Sequence, residues 1–334
     1  MKVERIVSLE SLEKSKEEWD EFLFSTEQEC IFLTQEWFTS WWKNFSEDNS
    51  LEILIFKDKN EHLIGIAPFM VRNKILQFIA SQEVSDYCDF ITGKEKRREF
   101  YENLLNYLKT NYSRMQKIEL INVNQSSPTL SFLPQLAESH GFSYTCQELE
   151  VVPVLTLPAS YESYLDQLDK RNRHELKRKL KRLESLEKIR TLKITEPQEL
   201  RTQADAFIQL HQNSSPSKGR FWQKKGMTDF FRELIYRFSL EGWVELNFLF
   251  YEDKAIAALL NFSFLDRIYF YNSTFDREYA WYNPGLFLFN QSLKEAIQEQ
   301  KKEADFLRGD EKYKYNFGAK DNKIFKILLR AKRR

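Results

Sequence analysis

Residues 305–318, DFLRGDEKYKYNFG, place two adjacent carboxylates, two phenols and three cations around one glycine. Asp310 and Glu311 could accept a proton from an amine nucleophile, and Tyr313 or Tyr315 could protonate a leaving thiolate. The run follows an apolar strand end, the place where ligands gather in α/β sheets. A solvated charged loop would have a similar composition, so both readings stand at this level. A second candidate is Asn283-Pro284-Gly285-Leu286, which follows a strand and opens a helix. Proline and glycine there fix the first turn and let a ligand approach the backbone. The free N–H groups of that turn, with the helix dipole, suit a phosphate or pyrophosphate. An ordinary strand-to-helix turn needs the same residues.

Two basic segments add possible anion contacts. In residues 170–183, KRNRHELKRKLKRL, Leu176, Leu180 and Leu183 form an apolar stripe at helical spacing, and cations cover the rest. That basic face could be merely solvated, or could hold an anionic substrate, a CoA phosphate, tRNA or a lipid headgroup. Lys218-Gly219-Arg220-Phe221-Trp222 reads as a glycine turn flanked by two cations and two aromatics.

Other chemistries lose ground. Nine glycines supply no GxGxxG, no GxxxxGK[ST] and no GxSxG, so dinucleotide, P-loop and serine-nucleophile sites are unsupported. Three cysteines (Cys30, Cys88, Cys146) and four histidines (His62, His140, His174, His211) show no metal-ligand or disulfide spacing. No metal is expected, and each histidine reads as a satisfied structural or surface residue. Lysine plus arginine equals aspartate plus glutamate, 50 each, so no net field draws nucleic acid or membrane. The first residues, MKVERIVSLESLEKSKEEWDEF, carry charges throughout and lack the apolar core of a signal peptide. No run approaches the roughly 18–20 apolar residues of a membrane span. A cytoplasmic protein is expected, with peripheral contact to envelope machinery open.

At 334 residues the chain should form two domains. The first half reads as a strand over 3–7, helices over 12–24 and 34–44, and then an antiparallel meander beginning at residue 51. A helix over 95–110, a strand over 117–122, a helix over 128–140 and a strand over 142–149 complete it. The second half repeats the pattern. A strand over 151–157 leads to a long helix over 161–186 and a strand over 189–194. Helices over 197–212 and 227–240 precede a second meander, and a helix over 285–300 with strands over 305–307 and 323–329 follows it. The meanders start roughly 195 residues apart and match in order and turn type, which points to an internal duplication. The expected domains are 1–150 and 151–334, mixed α/β of the α+β type, each with a largely antiparallel sheet flanked by helices.

These segments together resemble the GNAT-type acetyltransferases of the CelD-like, FemAB-related group. The resemblance rests on DFLRGDEKYKYNFG, YNPGLFLF and KGRFW in the second half, and on FLTQEWFTSWWKNF, LIGIAPFM and DYCDF in the first. It implies tandem GNAT folds and acyl transfer from an acyl thioester to an amine, often in polysaccharide or envelope pathways. The donor it implies is acetyl-CoA or another acyl-CoA. YNPGL is poorer in glycine and arginine than the acyl-CoA loop of single-domain members. A donor on a carrier protein, or on tRNA as in FemAB-related transferases, is the alternative, as is a non-catalytic partner of a polysaccharide machine. Carried over, the resemblance puts Asn283, Pro284, Gly285 and Leu286 at the donor and makes Asp310, Glu311 and Tyr313 catalytic. It gives substrate contacts to Arg308, Lys314, Lys218, Arg220 and Trp222, with Asp86, Tyr87 and Asp89 gripping an amine acceptor between the copies.

Overall fold

The computed structural model describes residues 1–28, 30–80, 84–112 and 115–332. In chain order the elements are β1 (Lys2–Ile6), α1 (Leu9–Lys14), α2 (Lys16–Ser25), α3 (Gln35–Phe45), β2 (Ser50–Lys57), β3 (Leu63–Arg72), β4 (Ile75–Phe78), β5 (Ile91–Thr92), α4 (Arg97–Asn111), β6 (Lys117–Asn124), α5 (Pro128–Leu136) and β7 (Phe142–Thr156). They continue with α6 (Tyr161–Gln167), α7 (Lys170–Glu184), β8 (Ile189–Ile194), α8 (Pro197–Asn213), α9 (Pro216–Trp222), α10 (Met227–Leu240), β9 (Val244–Tyr251), β10 (Lys254–Phe264), β11 (Arg267–Phe275), α11 (Pro284–Gln298), β12 (Glu303–Asp305), α12 (Lys312–Asn316) and β13 (Lys320–Ala331). The chain divides into two compact units, one of Met1–Val151 with Asn322–Arg334 and one of Val152–Asp321. Residues 322–334, at the end of the sequence's second half, thus fold with the first unit.

Each unit has the same strand grammar. In the first, β1, β2, β3 and β4 are successive antiparallel neighbours, β4 pairs with β6 in parallel, and β6 pairs antiparallel with β13. In the second, β8, β9, β10 and β11 are successive antiparallel neighbours, β11 pairs with β12 in parallel, and β12 pairs antiparallel with β7. The duplicated meander is therefore real, but the strand beside β6 is β13 and the strand beside β12 is β7. The first unit thus takes its last strand from the far end of the sequence, whereas β12 pairs with Val154–Thr156, the part of β7 that belongs to its own unit.

Local chemistry explains several boundaries that sequence periodicity misplaces. The helix expected over 161–186 is two helices, because Leu168 is extended and Asp169 caps α7 through its carboxylate, accepting from Asn172 N at 2.8 Å. The helix expected over 12–24 likewise divides at Ser15, the cap residue between α1 and α2. The strands expected over 142–149 and 151–157 are one strand, β7. The segment read as a glycine turn at Lys218–Trp222 is instead part of α9, capped by Ser215.

The first unit packs Phe56, Phe69, Phe78, Phe90, Phe100 and Leu104 into one core between its sheet and α4–α5. Gly65 of β3 is required there, since a Cβ would sit 2.1 Å from the Phe100 ring. Asp86, Tyr87 and Asp89 lie in the interior of this unit, each buried. The Asp89 carboxylate accepts from Ser127 Oγ and Thr129 Oγ1 at 2.5 Å each, from Phe90 N at 2.8 Å and from Gln28 Nε2 at 3.3 Å. It ties the start of α5 to the strand segment before α4. Tyr87 packs edge-on against Phe32. Burial holds the Asp89 carboxyl up at about 6 despite those four hydrogen bonds.

A carboxyl raised on folding contributes most stability below its unfolded value, near 4, and loses it as pH rises through about 6. Asp89→Asn should therefore flatten the fall of stability between pH 4 and 6.5 by up to about 1.4 kcal/mol per pH unit. Urea midpoints of both proteins across that range check this, and parallel curves would contradict it.

Candidate active site

In the second unit, helices cover both faces of the sheet. On one face Leu249, Ala257, Leu259, Ile268 and Phe270 pack with α7, α11 and the segment around α12. On the other, Phe231 and Phe238 of α10 meet Tyr271 and Phe262, and Trp222 of α9 packs on Phe231. Between these layers the sheet opens. β11 pairs with β12 only at Arg267–Glu303, Ile268–Ala304 and Tyr269–Asp305. β12 then ends, while β11 runs on to Phe275 and keeps β10 as its neighbour. On the side away from β10, residues 270–275 thus present an edge that no strand among the described residues pairs with. Beside it the β10–β11 register slips at Leu260/Asn261, leaving Tyr271 as the extra residue of a bulge.

The chain after β12 is bent and tied away from that edge. Leu307 has φ +59 and Gly309 φ +107, two left-handed residues within three positions. Asp305, fully buried, accepts from Leu307 N at 2.8 Å. Lys314 of α12 reaches back from the interior. Its Nζ donates to Leu307 O at 3.0 Å, Arg308 O at 2.6 Å and Gly309 O at 3.0 Å, and lies 2.9 Å from Glu311. Only 2% exposed, this ammonium is spent on holding the loop.

The acid–tyrosine–lysine run therefore separates by role. Lys314 is a tie, and Glu311 is its counter-ion. Asp310 is exposed, and among the described residues no ion pair or hydrogen bond engages its carboxylate. Arg308 offers its carbonyl to Lys314, and its side chain is partly covered. Tyr315 donates to Asp321 at 2.7 Å. Tyr313 packs its ring on Phe289 of α11, with centroids 5.1 Å apart, and meets Phe306 edge-on at 6.3 Å. Phe306 in turn lies 4.9 Å from Phe270, the first residue of the open β11 edge. Burial, and then the nearby Glu311 charge, hold the Tyr313 phenol well above its ordinary pKa, so it keeps its proton.

The start of α11 lies on the same face as Tyr313. Asn283, left-handed at φ 56, is its N-cap but turns its side chain to Trp281 O at 2.9 Å instead of capping the helix. Pro284 brings no N–H, and the N–H groups of Gly285 and Leu286 have no protein acceptor among the described residues. A Cβ on Gly285 would meet the Phe275 ring at an ordinary van der Waals 3.6 Å. Leu286 lines a narrow pocket with Asn172, Leu176 and Lys179 of α7 and with Asn316 and Phe317. The unmet N–H pair and the helix dipole suit a phosphorylated donor.

On the opposite face, Lys218 donates to Ser273 O at 2.5 Å, on the stretch of β11 beyond its pairing with β12. Trp222 is buried and donates to His211 Nδ1 at 2.9 Å, while Arg220 is exposed. His211 was not legible as part of any site. Its only sequence signal is a position seven residues before Lys218, at the end of α8. Among the described residues no cluster of three or more His, Cys, Asp or Glu could hold a metal ion, and no helix is long and apolar enough to cross a membrane.

Comparison with known proteins places this geometry. Residues 170–315 match the family model described as Acetyltransferase (GNAT) domain. The protein has a GNAT-type, FemAB-related acetyltransferase-like fold with tandem domains. A crystal structure of FemX superposes with TM-score 0.65 at 12% identity, covering 98% of this chain and 97% of that one. L-PGS from Bacillus licheniformis gives TM-score 0.60 at 10% identity, covering 95% and 92%. A tandem GNAT protein of the clavulanic acid biosynthesis pathway gives 0.51 at 8% identity, covering 98% of both chains. At these identities the likeness is one of fold. Among curated proteins no sequence matches.

Removing the Lys314 tie should expose its importance. Lys314→Met leaves three loop carbonyls and two left-handed residues without their anchor, and should cost about 3 kcal/mol of unfolding free energy. Urea denaturation measures this, and a change below about 1 kcal/mol would mean the loop is held by other contacts.

Proposed function

We propose that the protein is an N-acyltransferase that moves an acyl group from an acyl thioester, acyl-CoA in the first instance, to an amine. The observation that carries this reading is the early end of the β11–β12 pairing, which leaves a bulged backbone edge beside a protonated, half-buried Tyr313. The donor's phosphates would meet the N–H groups of Gly285 and Leu286, with Asn283 and Pro284 shaping the turn. Its thioester would lie along residues 270–275, where backbone N–H groups polarise the carbonyl. The amine forms the C–N bond as the C–S bond breaks, and no covalent enzyme intermediate is needed. Tyr313 supplies the proton that the thiolate takes. Asp310 receives the proton that the amine loses, since Glu311 is already paired with Lys314. The GNAT domain supports the acyl-CoA donor, and an envelope or polysaccharide precursor amine is a fitting acceptor class.

Tyr313→Phe keeps the ring packing and removes the proton. It should slow thiol release from acetyl-CoA, in the presence of an amine pool of glucosamine, lysine and glycine, by about 100-fold. Calorimetric binding of acetyl-CoA should be unchanged. Thiol release at the wild-type rate would overturn the role of Tyr313, and absence of any acyl-CoA binding would overturn the donor.

A second reading, aminoacyl transfer from charged tRNA, is favoured by the solvent face of α7. Lys170, His174, Lys177 and Lys181 recur there at i, i+4, i+7 and i+11, all exposed. Arg173 and Arg178, by contrast, pair with Asp166 and Glu175. The same helix lines the pocket at Leu286. If three or four phosphates dock on it, log affinity for tRNA should fall with log salt at a slope near −3, and Lys170→Ala/Lys177→Ala/Lys181→Ala should flatten that slope. A salt-independent affinity would exclude this donor.

A further inference from the structure

Trp281 stands just before the donor turn, in the segment between β11 and α11, and has no part in the acyl transfer described above. At 69% it is the most exposed of the large apolar side chains among the described residues, so the core gains little from it. Its place is nevertheless fixed from two sides. The Arg182 guanidinium of α7 lies over the indole, 3.9 Å from the ring centroid, and Arg182 Nη1 donates to Trp281 O at 3.0 Å. Asn283 Nδ2 donates to the same carbonyl at 2.9 Å. One carbonyl thus ties α7, the tryptophan and the N-cap of α11 together.

Arg182 covers one face of the indole, which leaves the opposite face as the broad exposed surface. The tryptophan is therefore a flat ledge with a cation beneath it, and the attraction of that cation for the ring electrons holds it in one orientation. Arg182 has five N–H donors and spends one on Trp281 O. Among the described residues no carboxylate pairs with its guanidinium. A flat ligand that also carries negative charge suits both halves of the ledge: its ring stacks on the open indole face, and its anion meets the guanidinium. Nucleotides are that class of ligand. A neutral sugar would leave the guanidinium unused, and an acyl chain would gain nothing from it.

We propose that Trp281, braced by Arg182, stacks the adenine of a nucleotide-bearing donor whose phosphates lie at Gly285 and Leu286. That the ligand is a donor rests on the acyl-transfer reading. The reach is suitable: Trp281 lies four residues before Gly285, at most about 14 Å along an extended chain, and the Asn283–Trp281 bond shortens it. A base sits one ribose away from its 5′-phosphate, and Arg182 is placed for a phosphate on that ribose. Coenzyme A and the acylated end of a tRNA both present adenosine, so the chemistry they share here is an adenine nucleotide. Phosphopantetheine on a carrier protein has no base and gains nothing at the ledge. Trp281 thus sets which donor is accepted, without touching the reacting atoms.

Calorimetry on the intact protein tests this with two probes, adenosine 3′,5′-bisphosphate for coenzyme A and the trinucleotide CCA for the tRNA end. Trp281→Ala, a surface change compatible with folding, should weaken whichever probe binds by about tenfold or more. Trp281→Phe keeps an aromatic face and should stay within about threefold of the wild type. Binding of the bisphosphate alone identifies coenzyme A, binding of CCA alone identifies the tRNA end, and binding of both means that adenine itself is read. In turnover, the ratio of kcat/KM for acetyl-CoA to that for acetyl-phosphopantetheine should fall about tenfold in Trp281→Ala, whereas a damaged fold would lower both and keep the ratio. Binding of neither probe, or equal affinity in wild type and Trp281→Ala, would overturn the subsite. Acetyl-CoA consumed with an unchanged ratio would overturn it as well and leave the acyl-transfer reading standing. Nucleotide binding lost in Trp281→Ala, in a protein that transfers no acyl group from any donor, would do the reverse.

Discussion

Three residue pairs join β11 to β12, and the exposed backbone edge of the second unit depends on the pairing stopping there. Parallel strands that stayed in register would satisfy each other's backbone and leave nothing to offer a ligand. The divergence is built in with charge. Asp305 is buried at the end of β12, with Arg267 3.8 Å away and Arg267 also bound to Glu303. Beyond it, an ammonium from α12 gathers three carbonyls of a chain that twice enters left-handed backbone space. A backbone of that shape would be costly alone, and charge-assisted hydrogen bonds offset the cost.

This arrangement gives the sheet two chemically different sides. The α11 face offers unmet N–H groups and a phenol that burial keeps protonated. The α8–α9 face offers an amine that burial has weakened and a neutral imidazole locked into one tautomer by the Trp222 indole N–H. Neither side depends on a reactive cysteine, and Cys88 is buried in the other unit. In the proposed transfer, the task left to the protein is alignment and the handling of protons.

Much of this was legible in the sequence because it repeats or because it is punctuated. The meanders declare themselves by alternation and charged turns, α3 by its stripe of tryptophans, and the start of α11 by Pro284-Gly285. Burial of polar residues was not legible. Lys314, between two tyrosines in a charged run, reads as a substrate contact, yet its stem crosses the interior to reach a loop five to seven residues back. Asp86, Tyr87 and Asp89 read as a grip on an acceptor; all three are buried, and hydroxyls from the start of α5, 38 and 40 residues away, stabilise Asp89 inside the core. The break between α6 and α7 was missed because Asp169 ends one helix by capping the next, without glycine or proline to announce it. Strand partners were invisible for a deeper reason: local pattern sets where a strand is and which face it buries, but not which neighbour it pairs with.

That last point has a consequence for how the molecule is made. The sheet of the first unit is completed by β13, whose Ile327 and Leu329 are fully buried in the first unit's core. A ribosome delivers residues 1–151 early, but the strand that must cover β6 emerges only after the entire second unit has been synthesised. The nascent first unit therefore carries an open strand edge and a gap in its core throughout elongation, whereas the second unit, delimited by Val152 and Asp321, can close as soon as its own residues are free. The half that is translated first is the half that is finished last, and its long-lived open edge is where a co-translational chaperone would have reason to bind.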